Sequence, residues 1–352
     1  MLIFDGHLDL SMNALEWNRN LELSVSEIRD SEAEMTEKGR ALGTTTFPEM
    51  RRGEVMLALA TVISRTQRAG NPKPGAACQE ISYAIAQGQL AYYRVMESQG
   101  KVRMLGDWPA LESHLQLCRD DPAQAPLGFI LSMEGADPIV WPEQVESWWE
   151  DGLRVVSLSH YGLSAYAYGT DTEGGLTELG KPLLQAMDQL GMILDLTHLA
   201  DQAFWESLEA FRGPVLASHN NCRALVPGQR QFSDEQIKAI VERNGVIGAA
   251  LDAWMLYPGW IKGETSNTVV SLQAVADQID HICQVAGNAK HAGIGSDLDG
   301  GYGTEQCPRD LDTIADLQKL PDLLRVKGYS EADILGIMHG NWIRFFREAW
   351  DG

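Results

Sequence analysis

The sequence predicts an α/β fold, a (β/α)8 TIM barrel with extra helices. Three observations carry that reading. Eight short apolar runs rich in Val, Ile and Leu recur along the chain, and continuous runs of that length fit strands buried on both faces, as in a parallel sheet. The longer segments between them place apolar residues at helical spacing. A length of 352 residues without a linker fits one large barrel, so residues 1–352 read as a single domain.

The predicted strands are 2–6 (LIFDG), 55–63 (VMLALATVI), 127–133 (LGFILSM), 153–158 (LRVVSL), 191–197 (GMILDLT), 214–218 (PVLAS), 245–251 (GVIGAAL) and 291–296 (HAGIGS). The stretch from 64 to 126 is too long for one connection and predicts two helices, near 76–99 and 107–118. Thr177 precedes ELGKPLLQAMDQLG, and Gly191 ends that helix as a C-cap. Ser233 and Gln236 form a capping-box pattern before IKAIVERNG. Residues 271–286 carry apolar positions at helical spacing, and 330–350 reads as one or two closing helices.

Composition narrows the function. The formal net charge is −21; so acidic a surface repels phosphate backbones and anionic membranes, which argues against a nucleic-acid or membrane partner. No apolar run approaches the roughly 18–20 residues that span a bilayer. MLIFDGHLDL has no basic n-region and FFREAWDG no hydrophobic tail, so neither a signal nor an anchor is expected. The five scattered cysteines form no CxxC pair, which fits a reduced, cytoplasmic setting and argues against a thiolate zinc site.

The active site of such a barrel lies at the C-terminal ends of its strands. The first run ends in His7-Leu8-Asp9, the third in Glu134, the fourth in His160, the fifth in His198, the sixth in His219, and the eighth in Asp297-Leu298-Asp299. A lone histidine at a strand end is usually structural. Four at equivalent positions, joined by acids, would be costly to bury together unless a cation offsets them. His7 and Asp9 stand two apart and share a strand face. Glu134 has two oxygens and can bridge two ions. Imidazole with carboxylate suits zinc or another borderline first-row ion better than calcium or magnesium. This reading does not separate His160 from a ligand, Asp297 from Asp299, or Arg230 from Arg223.

The chain also resembles the membrane dipeptidase (renal dipeptidase) family, peptidase family M19, within the amidohydrolase superfamily. The resemblance runs through DGHLDL (5–10), SMEGAD (132–137), SLSH (157–160), GLTELGKPLLQAMDQLGMILDLTHL (175–199), PVLASHNNCRAL (214–225), Arg230, NGVIGAA (244–250), GIGSDLDGG (293–301) and GNWIRFF (340–346). It implies two zinc ions per chain. His7 and Asp9 would hold the first, His198 and His219 the second, and Glu134 would bridge them. His160 would contact the substrate carbonyl, Arg230 the substrate carboxylate, and Asp297 would bind the substrate amine and shuttle the proton. The implied reaction is hydrolysis of dipeptides, with L-Xaa-D-Xaa accepted, by a hydroxide bridging the metals. A related zinc amidohydrolase acting on N-acyl amino acids or another small amide is the alternative. A homodimer is expected by analogy. The segment GVIGAALDAWMLYPGW departs from the common family pattern, so side-chain preference does not carry over.

The remaining candidates read as structural. Asp5 and Asp299 fit backbone or ligand-orienting roles as well as direct ones. Arg223, His114, His281, His291 and His339 read as packing or surface residues. Trp254 and Trp260 follow the seventh run on the active-site side and are the aromatic residues to watch.

Overall fold

The computed structural model describes residues 1–351. Among the described residues there are nine strands: β1 (Ile3–Leu8), β2 (Val55–Ile63), β3 (Val102–Met104), β4 (Leu127–Glu134), β5 (Leu153–Ser157), β6 (Ile193–Asp195), β7 (Val215–Leu216), β8 (Ile247–Ala249) and β9 (Ala292–Ile294). Eight of them run in the order β7-β6-β5-β4-β2-β1-β9-β8, every pairing parallel. A bridge between Ala217 and Ile247 joins β7 to β8 and closes the ring. The eight expected runs are thus the eight barrel strands. β3 was not expected; it pairs with the first residues of β4, outside the ring.

The strands sort their side chains by alternation. Phe4, Leu57, Leu59, Ile130, Val155, Ile193 and Leu216 form one buried cluster with Trp342 and Phe346 of the closing helix Asn341–Asp351. Their neighbours Ile3, Ala58, Ala60 and Leu131 belong to a second, larger cluster under the surrounding helices. The first cluster is the barrel interior, plugged from its N-terminal end. Trp342 donates from Nε1 to the Ile294 carbonyl at 3.0 Å, and Phe4 stacks on Phe346 at 5.6 Å.

The two helices expected between 64 and 126 are Gln79–Ser98 and Trp108–Asp120, the second capped by Asp107, which accepts from Ala110 N–H at 2.8 Å. Ser233 and Gln236 make the capping box of Asp234–Glu242. Gly191 takes the left-handed conformation, φ +72°, that ends Gly180–Leu190. That helix starts later than the sequence suggested: Thr177 turns the chain ahead of it, accepting from Leu179 N–H and donating to the Ala165 carbonyl. The closing segment is the helix Glu331–Leu335, one π turn (Gly336–Gly340) and the helix Asn341–Asp351. Three short helices between β1 and β2, Leu10–Leu15, Val25–Ser31 and Phe47–Arg52, were not foreseen.

Candidate metal centre and active site

All the expected ligands gather at the C-terminal mouth of the barrel. His7 lies on β1 and Glu134 ends β4. Asp9 lies just past β1, as the residue before the helix Leu10–Leu15, yet its Oδ1 still comes within 3.6 Å of His7 Nε2. Glu134 Oε1 is 3.2 Å from His198 Nε2, 3.3 Å from His219 Nε2 and 3.8 Å from His7 Nε2. His160 Nε2 is 3.8 Å from the other oxygen, Oε2. Asp297 Oδ1 is 3.9 Å from His7 Nε2. Three overlapping donor sets result, each within 4.8 Å: His7, Glu134 and His219; Glu134, His160 and His198; His7, Asp9 and Asp297.

The residues fit a metal. His7 Nε2 and Asp9 Oδ1 are buried without a hydrogen-bond partner, a costly arrangement unless a cation takes their lone pairs. His198 and His219 bring their Nε2 atoms to 3.2 Å from each other. Their far nitrogens are tied off. Thr170 Oγ1 lies 2.8 Å from His198 Nδ1 and donates onward to the His198 carbonyl. Ser218 Oγ lies 3.0 Å from His219 Nδ1 and donates to Asp195 Oδ2 at 2.5 Å. Each hydroxyl therefore accepts from an Nδ1–H, which leaves Nε2 with its lone pair directed at Glu134. Burial, reinforced by neighbouring positive charge, pushes both histidines well below their ordinary range, so they stand neutral, the form that ligates.

His160 is arranged the opposite way. Arg65 Nη1 lies 2.6 Å from His160 Nδ1. A guanidinium only donates, so Nδ1 accepts and the proton sits on Nε2. Burial first, then Arg65 and Arg230, hold this imidazole well below its ordinary range and keep it neutral. A neutral Nε2–H is a hydrogen-bond donor and not a ligand. The network thus separates His160 from His198 and His219, which residue type alone could not do.

The open pairs resolve on backbone geometry. β9 ends at Ile294, and the chain then turns through left-handed residues, Asp297 at φ +57° and Asp299 at φ +61°. The two aspartates do not share a face. Asp297 points into the cleft, and burial, with Glu134 and Asp9 nearby, lifts it well above the carboxylate range. Asp299 turns away; it accepts from Thr44 N–H at 2.9 Å and Thr45 N–H at 3.0 Å and faces Arg19. Arg230 is buried at the site, hydrogen-bonded to Asn220 Oδ1 and to the His219 carbonyl, with Nη2 3.3 Å from His198 Nε2. Arg223 instead pairs with Asp201 outside the cleft. Asp5 joins β1 to β9 by accepting from His7 N–H and Ser296 N–H.

The bland histidines are structural. His291 meets the Gly245 carbonyl, His339 the Leu2 carbonyl, and His281 pairs with Asp234. Trp254 lines the cleft. Arg65, Thr170, Ser218, Asp195 and Asp252 were missed. Two of them carried a readable signal: Arg65 and Asp252 follow the second and seventh apolar runs, as the ligands follow theirs.

The cleft holds about 160 Å³, less than the roughly 300–1,000 Å³ of sites for drug-sized ligands. A compact substrate fits; a folded chain does not. Neutral Nε2 atoms facing a carboxylate, a neutral imidazole donor, a buried carboxyl and a buried guanidinium are the parts for metal-assisted attack on a small carbonyl compound.

Comparison with known proteins agrees. The family model described as membrane dipeptidase (peptidase family M19) matches residues 1–351. Dipeptidase aclJ of Aspergillus oryzae is 26% identical over 97% of this chain and 76% of its own length. A metallo peptidase from Rhodobacter sphaeroides, liganded with a phosphinate mimic of the dipeptide L-Ala-D-Ala, superposes with a TM-score of 0.81 at 22% identity, over 99% of each chain. The dipeptidase AC, an M19 metallo peptidase, gives the same TM-score at 23% identity over 100% of this chain and 99% of that one. The chain belongs to the membrane dipeptidase family, peptidase family M19, metal-dependent hydrolases of peptide bonds.

Proposed function

We propose that this protein is a binuclear zinc dipeptidase that cleaves free dipeptides, L-Xaa-D-Xaa among them. The observation that carries the reading is the convergence of His7, His198 and His219 on Glu134, with the last two locked in the ligating tautomer. His7, Asp9, Glu134, His198 and His219 would hold the two ions. When bound, the pair supplies Lewis acidity and a hydroxide nucleophile near neutral pH. The dipeptide mimic bound by the Rhodobacter sphaeroides relative supports a substrate of this class.

The chain's own residues account for the rest. Arg230 offers its guanidinium to the substrate carboxylate and sets the register, which favours dipeptides over long peptides. His160 donates from Nε2 to the carbonyl oxygen as negative charge develops there. Arg65 positions His160 by holding its Nδ1 as acceptor. Asp297 takes the proton from the nucleophile and returns it to the leaving amine. Burial lifts its pKa, which suits a group that must hold a proton briefly.

The test is turnover of L-Xaa-L-Xaa and L-Xaa-D-Xaa dipeptides beside N-acyl amino acids, by zinc-loaded protein with and without chelator. Chelator-sensitive dipeptide hydrolysis is expected. Turnover of the N-acyl compounds alone would move the function to a related amidohydrolase. Arg230→Met is expected to raise KM for a free dipeptide more than it lowers kcat; an unchanged KM would remove Arg230 from the carboxylate site.

A further inference from the structure

The chain carries 49 acidic residues against 28 Lys and Arg, yet its catalytic cleft is lined by five cations: Lys38, Arg65, Lys73, Arg230 and Lys262. Arg65 and Arg230 are already engaged near the metal ligands. The three lysines are not. Among the described residues none of them has a carboxylate within ion-pair distance, whereas Lys101, Lys319 and Lys327 each do. They come from three separate loops and meet over aromatic faces. Lys73 and Lys262 lie 5.3 and 5.8 Å from the Tyr161 ring centre, Lys262 also 4.4 Å from that of Trp254, and Lys38 5.9 Å from that of Tyr302. Tyr161 itself packs on His160 and His198 at 4.8 and 5.3 Å, so Lys73 and Lys262 stand one ring away from the reaction centre.

Like charges at one mouth repel. Burial and then the neighbouring cations Lys262, Lys38 and Arg65 push Lys73 below the ordinary lysine range. Four acids also line the cleft. Asp9 and Glu134 face the metal position, and Asp297 lies beside them. Asp252 is buried and hydrogen-bonded by Gln306 Nε2 and Trp254 N–H, and it feels Lys38 and Lys262; Glu305 and Asp297 also act on Lys38, and Asp171 on Lys73. None of these carboxylates comes within ion-pair distance of a lysine, and bound divalent ions would add more positive charge to the same space.

We propose that the mouth selects a substrate with a second anionic group beyond its terminal carboxylate: a dipeptide bearing an Asp or Glu side chain, received by Lys73 and Lys262 against Tyr161 and by Lys38 opposite. This rests on the dipeptidase reading.

The test compares kcat/KM for isosteric pairs, L-Ala-L-Glu with L-Ala-L-Gln, L-Ala-D-Glu with L-Ala-D-Gln, and L-Glu-L-Ala with L-Gln-L-Ala, by zinc-loaded protein at low and high salt. One placement of Glu is expected to win by on the order of tenfold, the equivalent of about 1.4 kcal/mol. The advantage should shrink with salt, because partly exposed charges are screened, and fall toward unity in Lys73→Gln/Lys262→Gln. Equal rates for every Glu and Gln pair would overturn the proposal and leave the dipeptidase reading intact. Failure to hydrolyse any dipeptide would instead overturn that reading. Calorimetric titration with glutarate and with butyrate then decides the anion site without turnover. Tighter glutarate binding that is lost in the double variant supports it, and equal or absent binding of the two sinks it.

Discussion

His160 and His198 carry their protons on opposite ring nitrogens because of what touches Nδ1. A hydroxyl that can accept leaves Nε2 with a free lone pair, the form able to bind metal; a guanidinium that can only donate leaves the proton on Nε2, the form able to donate to a carbonyl. The sequence shows four histidines after strands but not these partners, since Thr170 lies 28 residues from His198 and Arg65 95 from His160. The converging residues were legible because each follows an apolar run. Asp297 and Asp299 were not separable because a two-residue spacing implies a shared face only while the strand continues, and both residues sit at positive φ. Two outcomes follow at this scale. Asp297→Asn should keep both ions, counted by metal analysis, while kcat falls by about 10²–10⁴-fold; near-normal turnover would remove the proton shuttle. Ser218→Ala takes away the oxygen beside His219 Nδ1 and should weaken metal affinity by about 10–100-fold, read by competition with a chelating dye.

The strands reach the site by way of three glycines. A Cβ at Gly295 would lie 1.8 Å from the Ser218 carbonyl oxygen, at Gly248 2.1 Å and at Gly6 2.6 Å. β1, β8 and the chain after β9 therefore close on one carbonyl, that of Ser218, whose hydroxyl lies beside His219 Nδ1. The contact is with backbone, which cannot swing aside. Gly295→Ala should cost about 1–3 kcal/mol or more of overpacking strain and loosen the metal as well. Denaturant melts with and without zinc separate the two effects, and a wild-type melt with normal zinc retention would show that the carbonyl is free to move. The barrel strands were readable because continuous apolar runs have one explanation in a parallel sheet. The helices of six or seven residues between β1 and β2 were not. They are too short to repeat a helical period, and tertiary contacts hold them, among them the pairing of Arg19 with Glu32 and Asp299.

Across the whole molecule, stability should respond to acid through groups away from the mouth. His114 is fully buried on the helix Trp108–Asp120, and burial lowers its pKa to about 4. The unfolded chain protonates this imidazole near pH 6.5. Between those values the unfolded state binds the extra proton, so the stability is present above about pH 6.5 and is lost as pH falls toward 4, by about 3 kcal/mol in all. In metal-free protein, the urea-derived stability of His114→Gln should fall less steeply over that interval than that of wild type; parallel slopes would remove His114 as a source of acid sensitivity. The order of the ring sets a further constraint, in time. β1 pairs with β9, and Trp342 packs against Gly6 and seals the floor beneath His7. A chain emerging from the ribosome therefore presents His7 and Asp9 well before the residues that enclose them exist. Until Trp342 is out, His7 and Asp9 are an open histidine–aspartate pair, available to any stray ion. If the mouth binds metal, the full donor set exists only in the closed barrel, and loading is expected after translation.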